Sequence, residues 1–249
     1  MRIEVEYKCG CVYSNNRWFP ECPRHGEWWS AQAGTGDDFV RNKKHKAKGA
    51  MILYTNDTLD AISRVRDSSV GLILTYPMFQ YEESEWLEYE DKYFEALNTK
   101  LKDDGTFILM TDASNIAPSI LRLEGSGFKV KRFSQVLFSN DSDIVTPCVV
   151  LFANKDNAAI KCKYGVSDTP GKTLYFSDLA VTESHLVKNF CEEGGLVLDP
   201  FCTNAHTLDG TLHEGRRFIG FCEGAKQFET LKFYLNNFKA DQECFTTAN

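Results

Sequence analysis

The sequence predicts an α/β protein: a doubly wound, mostly parallel sheet, with a small separate lobe at the N-terminal end. Three observations predict it. From about residue 50 onward, short apolar runs of strand length alternate with stretches of helical length, the pattern of successive strand–helix–strand units. Those runs, MILY at 51–54, VGLILT at 70–75 and LVLD at 196–199 among them, are apolar at consecutive positions, as buried strands are. Residues 1–30 break this texture, for they hold Cys9, Cys11, Cys22 and His25, the tryptophans Trp18, Trp28 and Trp29, and few helix signals.

Taken in order, the lobe covers 1–30, and residues 31–49, Gly-rich and then basic, read as a linker. The α/β domain follows over 50–241, with a polar tail at 242–249. MILY is its first strand, and Asp57 or Thr58 caps a short helix before VGLILT. SEWLEYEDKYFEALNTKL, 84–101, is a long helix because Trp86, Leu87, Tyr93, Phe94, Leu97 and Leu101 recur at helical spacing, and Asp104-Gly105 ends it. TFILMT (106–111) is another buried strand, and NIAPSILRLEGSG is a helix closed by glycine. FKVKRFSQVLF (128–138) alternates and is a half-exposed strand; PCVVLFA (147–153) is a further one. Residues 154–180 are polar and carry no periodic pattern. ESHLVKNFCEEGG (183–195) is a helix with a glycine stop. LVLD and RFIGFCE (217–223) are strands flanking the short helix HTLDGTLHEG, and AKQFETLKFYLNNFKAD (225–241) is the last helix.

The 249 residues suffice for one large domain, or one domain with a small appendage, and a hydrophobic fraction of 43% is enough to fill its core. The sequence has no run of about 18 apolar residues to span a membrane, and MRIEVEYK lacks the apolar stretch of a secretory signal. Nine cysteines, an odd number, without such a signal read as reduced thiols. The expected location is therefore intracellular: cytoplasm, nucleoid or the cytoplasm of a host cell. A net charge of −7 lacks the basic balance of a protein that lives on DNA. The local basic run RNKKHKAKG at 41–49 is either a solvated loop or a phosphate-contacting patch.

In an open α/β sheet, ligands bind beyond the carboxyl ends of strands. Two such ends are unusual here, LILT-YPMF at 72–79 and LVLD-PFCTNAHT at 196–207. The stretch GGLVLDPFCTNAHTLDGTLHEGRRFIGFCEGAKQF resembles the S-adenosylmethionine-binding region of DNA amino-methyltransferases, which modify adenine N6 or cytosine N4. In that family the region reads VLDPF-x-G-x-G-T, a helix, GRRFIG and an acidic residue. LYTNDTLDAISRVRDSSVGLILTYPMF resembles the family's catalytic segment, where a strand ends in Asp, Asn or Ser, then Pro-Pro and an aromatic. LKDDGTFILMTDASNIAPSILRLEGSGFKVKRFSQVLFSN resembles the strand–helix–strand block that follows. With the catalytic turn first and the cofactor segment last, the order matches the permuted β class. The resemblance covers about residues 50–238 and implies a Rossmann-like methyltransferase fold with a mostly parallel central sheet.

The same resemblance exposes departures at each motif. In the family the first turn residue is a polar acceptor for the target amino group, and two prolines with an aromatic shape and stack the flipped base. Here the turn is Tyr76, Pro77, Met78 and Phe79, so a bulky phenol stands at the acceptor position. Of the cofactor segment, Asp199, Pro200 and Phe201 are intact, but Thr203 and Ala205 replace the two glycines that let a backbone approach the cofactor. His206 stands for a small hydroxyl residue, and LYFSDLAVT at 174–182 lacks the HPT-x-KP pattern that also lines the family's cofactor pocket. The ribose-holding acid aligns either on Cys222 or, one residue on, at Glu223.

These departures give the expected function: a catalytically degenerate, methyltransferase-like protein, acting as a protein- or nucleic-acid-binding or scaffold subunit. The alternative is an active S-adenosylmethionine-dependent N6-adenine or N4-cytosine methyltransferase with a divergent turn, and a fold-sharing protein that takes another ligand is a third reading. Cys9-x-Cys11 and Cys22-x-x-His25 supply three thiolates and an imidazole, a donor set that suits a structural tetrahedral Zn²⁺. A lobe of this size needs such a staple, since it has too few residues for a core. The expected partners are a protein, and nucleic acid through the zinc lobe and residues 41–49, with no membrane.

Overall fold

A computed structural model describes residues 4–6, 12–14, 17–18, 44–55, 57–77, 83–139, 145–155, 173–176 and 179–238. The chain divides into two compact units, Met1–Val40 and Arg41–Asn249. In the first, β1 (Glu4–Glu6), β2 (Val12–Ser14) and β3 (Arg17–Trp18) form an antiparallel meander with Glu4 opposite Ser14 and Tyr13 opposite Trp18. The zinc ligands expected in this unit, Cys9, Cys11, Cys22 and His25, lie outside the described residues.

The second unit runs β4 (Lys44–Ala47), β5 (Ala50–Tyr54), α1 (Thr58–Ser63), β6 (Val70–Thr75), α2 (Glu83–Lys100) and β7 (Leu101–Thr111). It continues with a 3₁₀ turn at Ala113–Asn115, α3 (Ile116–Gly125), β8 (Phe128–Ser139), β9 (Val145–Lys155), β10 (Thr173–Phe176) and α4 (Leu179–Phe190). The last elements are β11 (Leu196–Asp199), α5 (His206–His213), β12 (Arg217–Cys222) and α6 (Ala225–Asn237). One sheet takes these strands in the order β10-β8-β9-β7-β6-β11-β12-β5-β4. From β7 to β5 every neighbouring pair is parallel. The antiparallel pairs are β7–β9, β9–β8 and β5–β4. The expected α/β sheet is therefore present, mostly parallel and flanked by helices on both sides.

Strand alternation explains why the central runs are apolar throughout. Leu72 and Leu74 of β6, Met110 of β7 and Val197 of β11 face the layer that holds Leu186, Val187 and Phe190 of α4. Ile73, Phe107, Leu109 and Leu198 face the opposite layer, with Phe94 and Leu97 of α2, Leu123 of α3 and Ile62 of α1. Both faces are buried, so both parities must be apolar. Phe107 anchors the layer of α1, α2 and α3, 5.8 Å from the Phe94 ring and 4.8 Å from that of Phe128. Beyond α4 the other face is completed by α5 and α6, with Leu208, Phe228, Leu231 and Leu235 over Ile52 and Phe218.

Four expectations are corrected. The end of the basic segment is not linker: Lys44–Ala47 pairs antiparallel with β5, through a turn in which Lys48 (φ 48°) and Gly49 (φ 79°) are both left-handed. A lysine-bearing strand suits a sheet edge, where charge discourages further pairing. Asp104-Gly105 does not end α2, which passes directly into β7 at Leu101. Gly105 lies where the β6–β7 register shifts, and a Cβ there would stand 2.7 Å from Leu101 Cδ1, so close packing asks for the glycine. Helix α4 starts at Leu179, ahead of the expected Glu183, and α6 ends at Asn237. Within the stretch without periodic pattern, Thr173–Phe176 is an edge strand parallel to β8. No helix among the described residues is long and apolar enough to cross a membrane.

Candidate functional site at the carboxyl ends of β6 and β11

From β6 the chain crosses to β7 on one side, and from β11 to β12 on the other. The two strands are themselves neighbours, Leu198 opposite Ile73, so their carboxyl ends form the topological switch point of the sheet. This brings together the two unusual strand ends, which are far apart in sequence. Thr75 Oγ1 donates to Asp199 Oδ1 at 3.1 Å, and the same oxygen accepts from the Phe201 amide at 3.1 Å. Asp199 is buried, and burial raises its carboxyl to about 6 against the lowering effect of these donors.

A second buried acid stands beside it. Glu183 of α4 accepts a hydrogen bond from Thr207 Oγ1 of α5 at 2.5 Å. Burial lifts its carboxyl to about 8, opposed by the Thr207 hydroxyl and reinforced by the charge of Asp199. The Thr207 hydroxyl also acts on Asp199, whose carboxyl it lowers. Thr75, Asp199, Thr207 and Glu183 thus form one buried polar chain across β6, β11, α5 and α4. Gly210 makes it achievable: a Cβ there would lie 2.8 Å from Ser184 Cα, so α5 and α4 touch backbone to backbone. Burial thus favours the protonated form of Glu183, which spares the pair a second buried charge.

The loop after β11 keeps an ordinary backbone. Among the described residues the only non-glycine positive φ angles are at Lys48 and Ser68, so Thr203, Asn204 and Ala205 need no left-handed conformation. The replaced glycines therefore add side-chain bulk without straining the chain. Asn204 Oδ1 caps the His206 amide at 2.9 Å, and Cys202 is buried with its thiol on the Asn204 carbonyl. Phe201 packs edge-on against Tyr93 of α2, 5.4 Å between ring centres.

At the end of β12, Cys222 is buried among Tyr54, Phe228 and their neighbours, its thiol on the Leu53 carbonyl and raised to about 12 by burial. Glu223 is exposed and accepts from Thr58 Oγ1 at 2.9 Å. Of the two aligned positions, the later one thus presents the carboxylate at this strand end. At the end of β6, Tyr76 continues the parity of Leu72 and Leu74 and packs on the α4-facing layer, half-buried. Burial, then the nearby Cys148 and Asp112, raises its phenol to about 12, so it stays protonated at any physiological pH. Pro77 is buried; Met78 and Phe79 lie outside the described residues. Among the described residues, no group of three or more His, Cys, Asp or Glu is placed to hold a metal.

Sequence reasoning missed Glu183, Thr207 and Thr75. One signal was available: Glu183 falls on the stripe of Leu186, Val187 and Phe190, at i, i+3, i+4 and i+7, where an acid interrupts an apolar face.

No protein-family description matches the sequence, and no curated protein matches it. Solved structures do. The M1.HpyAVI–SAM complex is 22% identical, with 75% of this chain and 99% of that chain covered, at a TM-score of 0.61. The cytosine-N4-specific PvuII DNA methyltransferase is 16% identical, covering 78% of this chain and 89% of that one, at 0.64. TTHA0409 of Thermus thermophilus, complexed with S-adenosyl-L-methionine, is 17% identical over 75% and 95%, at 0.58. A sheet of this order, with its switch point between β6 and β11, gives the chain the Rossmann-like α/β fold of the DNA amino-methyltransferases.

Proposed function

We propose that this chain is a catalytically degenerate, methyltransferase-like protein that works as a binding or scaffold subunit. The observation that carries the reading is Tyr76. An amino group that is to receive a methyl needs an acceptor at the turn, and the half-buried phenol offers a donor, only a weak acceptor and a bulky ring instead. The cofactor side supports it. Glu223 suits a ribose, being exposed at the end of β12. Thr203 and Ala205, by contrast, put side chains where glycines would let the methionine end of S-adenosylmethionine approach. Asp199, which the family resemblance places in the cofactor site along with Pro200 and Phe201, already receives the Thr75 hydroxyl and the Phe201 amide. The partner chemistry follows from charge: a net −7 favours a protein over a DNA phosphate backbone, with nucleic acid confined to the basic strand and its flank. In the N-terminal unit, Cys9, Cys11, Cys22 and His25 are proposed to bind one structural Zn²⁺, which metal analysis of the purified chain checks as one equivalent lost in a Cys22→Ser variant.

The second reading, an active amino-methyltransferase, draws on the loop at 203–205, whose backbone is not strained by the replaced glycines. A methyl-transfer assay on unmethylated DNA separates the two. The proposed reading expects no product above background; product that disappears in Tyr76→Ala or Asp199→Asn variants overturns it.

A further inference from the structure

We propose that a groove at the opposite, amino end of the sheet is a binding site for a small organic anion with one apolar face. The groove exists because α1 is short. Its six residues rise about 9 Å, whereas the six residues of β12 extend about 20 Å. The helix therefore covers the carboxyl-terminal half of β5 and β12 and leaves their amino-terminal half open on that face. The floor is Met51, Leu196, Ile219 and Phe221, of which Met51, Leu196 and Ile219 remain half-buried. The cavity measures about 410 Å³, within the ~300–1,000 Å³ of small-molecule sites.

Three arginines line it: Arg64 and Arg66, which follow α1, and Arg217 at the start of β12. Each is exposed, in a chain whose net charge is −7. Arg217 is oriented by its Nε bond to the Gly194 carbonyl at 3.0 Å, which leaves its terminal nitrogens for a ligand. Arg64 pairs with Asp60. Arg66 makes no ion pair among the described residues, and its neighbour Asp67 pairs with Lys100 at 2.5 Å. Two guanidinium groups with no carboxylate partner among the described residues, beside open apolar strand surface, match a ligand with an anionic head and a flat or chain-like apolar body. A purely apolar ligand would leave the arginines unused, and inorganic phosphate would leave the floor bare.

Anilinonaphthalene sulfonate is the probe, because it joins a sulfonate to an apolar ring system, and its uncharged counterpart N-phenylnaphthylamine lacks the sulfonate. Titration of the full chain should give a single saturable fluorescence site for the sulfonate and binding at least about tenfold weaker for the neutral amine. An R66E/R217E variant should lose at least about tenfold in sulfonate affinity, with R66Q/R217Q between it and the parent. Circular dichroism and the melting temperature check that each variant is folded. Sulfonate affinity that is unchanged in a folded R66E/R217E overturns the proposal. So does a neutral amine that binds as tightly as the sulfonate, a comparison that needs no variant.

Discussion

The two ends of the same sheet solve opposite electrostatic problems. At the carboxyl end, Asp199 and Glu183 are buried side by side and balanced by the hydroxyls of Thr75 and Thr207, with no cation among their hydrogen-bond donors. At the amino end, Arg64, Arg66 and Arg217 stand in water above incompletely covered apolar surface. The difference lies in the helices. Where α4 and α5 touch at Ser184 and Gly210, the acids are buried and their carboxyls are pushed up. Where α1 stops short, charge stays solvated and side chains stay free to meet a ligand. Polar residues at the first end should therefore govern stability and its pH dependence, and those at the second should govern binding.

The largest expected effect at a fixed pH is at the helix contact. Gly210→Val should cost about 1–3 kcal/mol by forcing α5 from α4, read as a lower urea midpoint; an unchanged midpoint would mean that the contact yields freely. Thr207→Val removes the shared hydroxyl and should cost about 1–3 kcal/mol, since Glu183 Oε2 loses its donor in a dry site. Thr75→Val, which leaves Asp199 the Phe201 amide, should cost less, about 1 kcal/mol.

The pH dependence follows from the raised carboxyls. Folded Glu183 holds its proton to about 8 against an ordinary value of 4.5, and folded Asp199 to about 6 against 3.8. In both, the folded state binds the proton more tightly than the unfolded chain. Their contribution is therefore fully present below the ordinary carboxylate range and is lost as pH rises through about 6 for Asp199 and about 8 for Glu183. Glu183→Gln keeps a polar group for Thr207 and cannot ionise. Its stability relative to the parent should rise between about pH 5 and 8, at no more than about 1.4 kcal/mol per pH unit. A parallel pair of stability–pH curves would contradict the raised carboxyl. The smallest effect is at the other end: Arg66→Gln should change stability by under about 0.5 kcal/mol, measured by the same urea titration.

The fold was legible where burial writes itself into the chain. Runs such as VGLILT and LVLD are apolar at both parities because both faces are covered, and left-handed Gly127 stands just past the C-cap of α3. The short edge strands β4 and β10 were not, because KHKA and TLYF are four residues each and take their strand conformation from a neighbour. At the site, Asp199 and Tyr76 were marked by their motifs. The Glu183–Thr207 pair was not, since it depends on a helix crossing that joins positions 24 residues apart. The groove was hidden for the same reason: it follows from the length of α1 relative to strands that come later in the chain.

The measurement closest to the central claim is calorimetric titration of the full chain with S-adenosylmethionine. A degenerate cleft predicts no saturable heat up to millimolar cofactor. Saturable binding that Asp199→Asn abolishes, with the variant still folded, would contradict it and restore the loop at 202–206 as a working cofactor site.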